Sequence, residues 1–213
     1  MVTGPLLSAE DHKRLSEAIR AAEANTSGEI YVVVAEHADG FRLVPVLWAA
    51  LLALLLPWPL IYATTLSITQ ILTLQGFAFV VAGAVLSLPQ LRYRLIPPSI
   101  ADEATRASAE LHFSAHGIHL TAERTGVLLY ICMKPRRIEV LADSGIHSKV
   151  DPATWEHMVE KIASGGRQGR LADGLAAAIH STGELLAQHF PRRTDDRNEL
   201  PDRVVEYRGR TVH

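Results

Sequence analysis

Three short segments bring together residue types that can do chemistry. In Asp143-Ser144-Gly145-Ile146-His147 a carboxylate closes an alternating apolar segment. Strand ends beside helix starts are where open α/β sheets hold ligands. Glu123-Arg124-Thr125 directly precedes the apolar run Gly126 to Met133. Asp143 can accept a proton, or ligate a hard divalent cation such as calcium or magnesium with Glu123 as a second oxygen donor. Arg124 can hold a phosphate through its guanidinium fork. The competing reading is structural, with Asp143 capping a turn and Glu123-Arg124 a surface pair.

The second segment holds His112, His116 and His119. The first two fall four apart, on one face of a helix, a spacing that suits a transition metal. No H-E-x-x-H pattern accompanies them, and His119 lies past the expected helix end. Polar histidines at a surface explain them as well. The third is Ser164-Gly165-Gly166-Arg167-Gln168-Gly169-Arg170, whose glycines and arginines could cradle a phosphate. It follows a helix pattern and lacks a P-loop ending, so a helix–helix turn is the simpler reading. Cys132, inside an apolar strand, is expected to be a buried, inert thiol. No serine stands in a nucleophile-elbow pattern.

These residues must be positioned by an α/β domain with an unusual interruption. From Leu43 to Leu91 no charged residue or histidine occurs, with Arg42 before the run and Arg92 and Arg94 after it. One bilayer crossing needs about 20 apolar residues, so the run accommodates two spans, near 43–62 and 68–88. Ala63 to Ser67 makes a polar connection between them. Pro57-Trp58-Pro59 is expected to kink or end the first span, and Trp58 and Tyr62 suit a membrane interface. Both ends of such a hairpin emerge on one face. The flanking arginines place that face, and the soluble domain, in the cytosol. The opening MVTGPLLSAEDHKRL is not patterned as a secretory signal, and a single cysteine agrees with a reducing compartment.

Outside the run, residues 1–41 and 93–190 complete one domain. Ser8 with Asp11 forms a capping box for a helix over Ala9 to Ala24. EIYVVVAE (29–36) is a strand. Ser99 caps a helix to Ala115. GVLLYICM (126–133) is a central strand covered on both faces, and RIEVLAD (137–143) is its hairpin partner. Asp151-Pro152 opens a helix broken at Ser164-Gly165-Gly166, and a last helix runs from Leu171 to Phe190. The mixed charges from 191 to 213 read as a flexible, solvated tail. The expected fold is a small α/β/α sandwich, interrupted after its first strand by a transmembrane helical hairpin, with the first strand pairing with GVLLYICM across the insertion. A formal net charge of −2 with no basic stripe excludes nucleic acid as a partner.

The segments SGEIYVVV, LHFSAHGIHLTAERTGVLLYICMKPRRIEVLADSGI, VDPATWEHMVEKI and GLAAAIHSTGELLAQHFP together resemble the TPM domain family, named after a photosystem-repair thylakoid protein and its relatives. The resemblance implies a TPM-like α/β/α sandwich and places the segments around Arg124 and Asp143 beside a cleft. It also implies weak acid-phosphatase activity, divalent-cation binding in some members, and non-enzymatic roles in complex assembly. Joined to the hairpin, it leads to an expected accessory or assembly module that works on a membrane-protein complex at the bilayer. The alternative is a weak membrane-bound acid phosphatase using Asp143 and Arg124, dependent on a divalent cation.

Overall fold

The computed structural model describes residues 6–38, 43–147, 149–194 and 196–208; Arg42, the arginine expected before the first span, lies outside them. In chain order the elements are α1 (Ala9–Glu23), β1 (Glu29–His37), α2 (Val44–Leu55), α3 (Pro57–Ala63), α4 (Ile68–Leu86), α5 (Pro89–Arg92), α6 (Pro98–Ala115), β2 (Gly126–Lys134), β3 (Arg137–Ala142), α7 (Ser144–His147), α8 (Pro152–Arg167), α9 (Leu171–His189) and β4 (Val204–Tyr207). They divide into two compact units, Met1–Ala38 with Thr105–His213, and Asp39–Ala104.

The first unit is built on a four-stranded sheet in the order β3-β2-β1-β4. β1 runs parallel to β2, Glu29 opposite Gly126 and His37 opposite Lys134, which is the pairing expected across the interruption. β3 returns antiparallel to β2. Both β-branched strands are buried on both faces. On one face Ile30, Val32, Val127, Leu129 and Ile131 pack with Leu15 and Ile19 of α1, Ile162 of α8 and Leu175, Ile179 and Leu186 of α9. On the other, Tyr31 and Tyr130 meet the imidazoles of His116 and His112 on α6. Helices thus cover both faces of the sheet, and each fully buried aliphatic side chain contributes roughly 1.5–3 kcal/mol. The Ser8–Asp11 capping box starts α1 as its sequence dictates.

Two expectations are corrected. The segment 191–213, read as a flexible tail, contains β4, which adds to β1 in parallel with Val32 opposite Val204. Val204-Val205 supplies the β-branched residues, and the Glu206 carboxylate accepts the backbone N–H groups of Leu6 and Leu7 at 3.1 and 2.9 Å. Second, Ser164-Gly165-Gly166 does not break α8, which continues to Arg167. A Cβ on Gly165 would stand 2.8 Å from the Gly174 Cα of α9, so the glycine serves close helix packing and not termination.

In the second unit, Leu56 divides α2 from α3 just before Pro57, where the ring removes a helix donor. Ser67 caps α4 with Gln70 in a second capping box. Ala49 and Ala53 of α2 and Ile71 of α4 are buried, and a Cβ on Gly83 would lie 3.9 Å from that of Ala49. Leu47, Trp58, Phe77 and Val80 are each more than 60% exposed. Most large apolar side chains of the pair are exposed, the reverse of a water-soluble helix pair. Val44–Ala63 and Ile68–Leu86 are each long and apolar enough to cross a membrane.

A Cβ on Gly174 would meet Lys161 O at 2.8 Å. Gly174→Val should therefore separate α8 from α9 and lower unfolding stability by about 1–3 kcal/mol, measured by urea denaturation followed by circular dichroism.

Candidate functional site

β3 is antiparallel, and this fixes where Asp143 lies. The Asp143 N–H donates to Gly126 O at 2.9 Å, so the carboxylate sits at the edge where the parallel strands β1 and β2 begin. Ligands of open α/β sheets gather at the opposite edge, so the strand-end argument that singled out Asp143 does not hold for this topology. The residue is 7% exposed. Its Oδ1 accepts from Ser144 N at 2.6 Å and from Ser144 Oγ at 3.1 Å, the turn-capping arrangement. Its Oδ2 is buried and has no hydrogen-bond partner among the described residues.

The turn before β2 does approach Asp143, through its backbone. Gly145 N donates to Arg124 O at 3.2 Å, and Arg124 adopts a left-handed conformation with φ 57. A Cβ on Gly145 would lie 2.6 Å from both Arg124 O and Glu123 O, so only glycine permits this approach. The Arg124 side chain is exposed. The Glu123 carboxylate pairs with the Arg193 guanidinium, in a cleft also lined by Asp196, Arg197 and Glu199. The backbone therefore unites the three predicted residues. Among the described residues no group of three or more His, Cys, Asp or Glu side chains could hold a metal ion.

His112 and His116 come together as their spacing requires, with Nδ1 of the first 3.4 Å from Nε2 of the second. His112 is buried, and its ring also packs on Tyr130 and edge-on to Tyr207 of β4. Burial, with a smaller effect from the Arg203 guanidinium, holds His116 below the usual imidazole range. His119 packs instead near Phe113. The pair stacks inside an aromatic layer between α6 and the sheet. Cys132 is buried, and burial pushes its thiol up, as expected of an unreactive cysteine.

Sequence reasoning missed a second group of carboxylates at the same sheet edge. Glu29, which opens β1, is 5% exposed and accepts the N–H groups of Glu199 and Leu200 at 3.1 and 3.2 Å. Glu23, at the end of α1, accepts Ile30 N–H at 2.7 Å. Burial, reinforced by Glu29 and by the hydrogen-bonded Asp202 carboxylate, pushes Glu23 up to about 9. Burial raises Glu29 as well. Asp202 is held in turn by Arg20 Nε at 3.0 Å. A carboxylate directly before the apolar run Ile30–Ala35 was the available signal. These groups fasten the segment leading to β4 onto α1 and β1.

With the fold and these groups in place, comparison with known proteins adds the following. Residues 84–185 match the model of a family described as TPM domain. The match begins inside α4 and ends inside α9, just under half of the chain. The solved NMR structure of the BA42 protein from the psychrophilic bacterium Bizionia argentinensis has the same fold. It superposes with a TM-score of 0.62 at 22% sequence identity, over 96% of this chain and 97% of that one. No curated protein matches the chain.

The carboxylate group sets a pH dependence of stability. Glu23 has a folded-state pKa of about 9 against an ordinary 4.5. Between those values the unfolded chain binds fewer protons, so this contribution is fully present below pH 4.5 and is lost as pH rises towards 9. Glu23→Gln keeps an acceptor for Ile30 N–H and removes the titration. The variant should match the parent at pH 4 and exceed it by roughly 1–3 kcal/mol at pH 8 in urea unfolding.

Proposed function

We propose that the chain is a membrane-anchored member of the TPM domain family, with two spans, that acts as an accessory or assembly module for a membrane-protein complex. The observation that carries this reading is the pair of apolar stretches from α2 to α4, most of whose large apolar side chains are exposed, placed in sequence between two paired strands of the α/β unit. Arg92 and Arg94 follow the second span, and the positive-inside bias then assigns the α/β unit to the cytosol. Support for a non-enzymatic role comes from the candidate site. Asp143 caps its own turn, and Glu123 is engaged by Arg193. Crosslinking in the native membrane, followed by detergent solubilisation and size-exclusion chromatography, should recover the chain with a stoichiometric integral-membrane partner. Recovery only as the isolated chain, from membranes or from the soluble fraction, would contradict the reading.

One observation favours a second reading, a membrane-bound phosphatase assisted by a divalent cation. The buried Oδ2 of Asp143 has no protein partner among the described residues, and an oxygen in that state is suited to a hard cation or a proton. Arg124 would then bind the phosphate. On this reading the detergent-purified chain hydrolyses a phosphomonoester, a chelator suppresses the rate, and Asp143→Asn lowers it by about tenfold or more. Activity unchanged by Asp143→Asn would remove the assignment.

A further inference from the structure

The opposite edge of the sheet, where the parallel strands end, carries a feature that the proposed function does not use. There a cleft of about 400 Å³ opens between the β2–β3 hairpin and α8, a size that suits a small ligand. Met133, Ile138 and Leu171, each part-exposed, give it apolar walls, and Arg136, Arg137 and Arg167 contribute three guanidinium-bearing side chains. Arg136 comes from the β2–β3 turn and Arg137 opens β3. Arg167 comes from the glycine- and arginine-rich segment that ends α8. The edge also has the right location for a ligand site, since crevices outside the carboxyl ends of parallel strands are where open α/β sheets bind.

Charge and shape together define the occupant. An apolar wall beside three guanidinium groups matches a molecule with an anionic head and a hydrocarbon chain, the guanidinium fork being suited to phosphate oxygens. Glu160 forms an ion pair with Arg167 between two exposed side chains, and such surface pairs contribute little. Chain order indicates the source. His37 lies in register with Lys134, so β1 ends at this same sheet edge, and seven residues later Val44 opens the apolar hairpin. We propose that this cleft binds an anionic phospholipid, its phosphate held by Arg136, Arg137 and Arg167 and the start of an acyl chain laid on Met133, Ile138 and Leu171. The choice of a bilayer lipid as occupant rests on the membrane-anchored reading.

The test uses the full chain in a neutral detergent and a lipid short enough to stay monomeric, dihexanoylphosphatidylglycerol, with the thermal-unfolding midpoint as readout. The lipid should raise the midpoint in a saturable way. The zwitterionic dihexanoylphosphatidylcholine and inorganic phosphate should leave it nearly unmoved. The Arg136→Gln/Arg137→Gln/Arg167→Gln variant should bind about tenfold more weakly or worse. If the half-buried Arg137 proves necessary for folding, the Arg136→Gln/Arg167→Gln double, altered only at exposed side chains, carries the same comparison. Equal binding by parent and variant, or an equal response to phosphatidylcholine, overturns the proposal. A full response to inorganic phosphate alone overturns the lipid as occupant. Because the probe is monomeric, a chain that proves soluble without detergent refutes the membrane anchor while the arginine comparison still decides the site.

Discussion

The parallel pairing of β1 with β2 is the constraint on which the rest depends. Parallel neighbours cannot be joined by a tight turn; the chain must leave one end of the sheet and re-enter at the other. Here residues 38–125 make that return, and the two apolar helical stretches lie within it. A return path limits what an insertion can be. It must bring the chain back to Thr125, whose carbonyl accepts the Glu29 N–H at 3.1 Å and whose hydroxyl donates to Ser27 O at 3.0 Å. A single membrane crossing would leave β1 and β2 on opposite sides of a bilayer. Two crossings satisfy the pairing, which is why a hairpin is compatible with a fold whose central strands it separates.

The same pairing sorts the polar chemistry between two edges of the sheet. At the edge where β1 and β2 begin, carboxylates are occupied in structural work, several of them paired with arginines. Glu29 receives backbone N–H groups of the segment before β4, Glu23 shares that neighbourhood with Asp202, and Glu123 pairs with Arg193. At the edge where β1 and β2 end, Arg136, Arg137 and Arg167 surround an apolar cleft.

Much of this was legible in the sequence, because local signals and packing demands agreed. The Ser8–Asp11 box, the Asp151-Pro152 helix start and the apolar strands 29–36 and 126–133 each specify an element that the tertiary structure also needs. What escaped depended on partners distant in sequence. β4 is four residues long among charges, and its stability comes from β1 and from contacts such as Glu206 with Leu6 and Leu7. Gly165 reads as a helix breaker until Gly174 of the next helix lies against it. Asp143 was legible as a turn-capping carboxylate, but its edge of the sheet was not, since that depends on the direction of β3. Arg136 and Arg137, at the β2–β3 turn and the start of β3, lie some 30 residues before Arg167 at a helix end, and only the fold brings them to one cleft.

The central claim is that the chain crosses a bilayer twice between β1 and β2 and returns to the side it left. Thiol accessibility tests it most directly. With the buried Cys132 replaced by alanine, single cysteines at Thr65, between α3 and α4, and at Glu184, exposed on α9, report the two faces. A membrane-impermeant thiol reagent applied to intact cells should label Thr65→Cys and leave Glu184→Cys unlabelled until the cells are lysed. Labelling of both from outside, or of both only after lysis, would contradict the account.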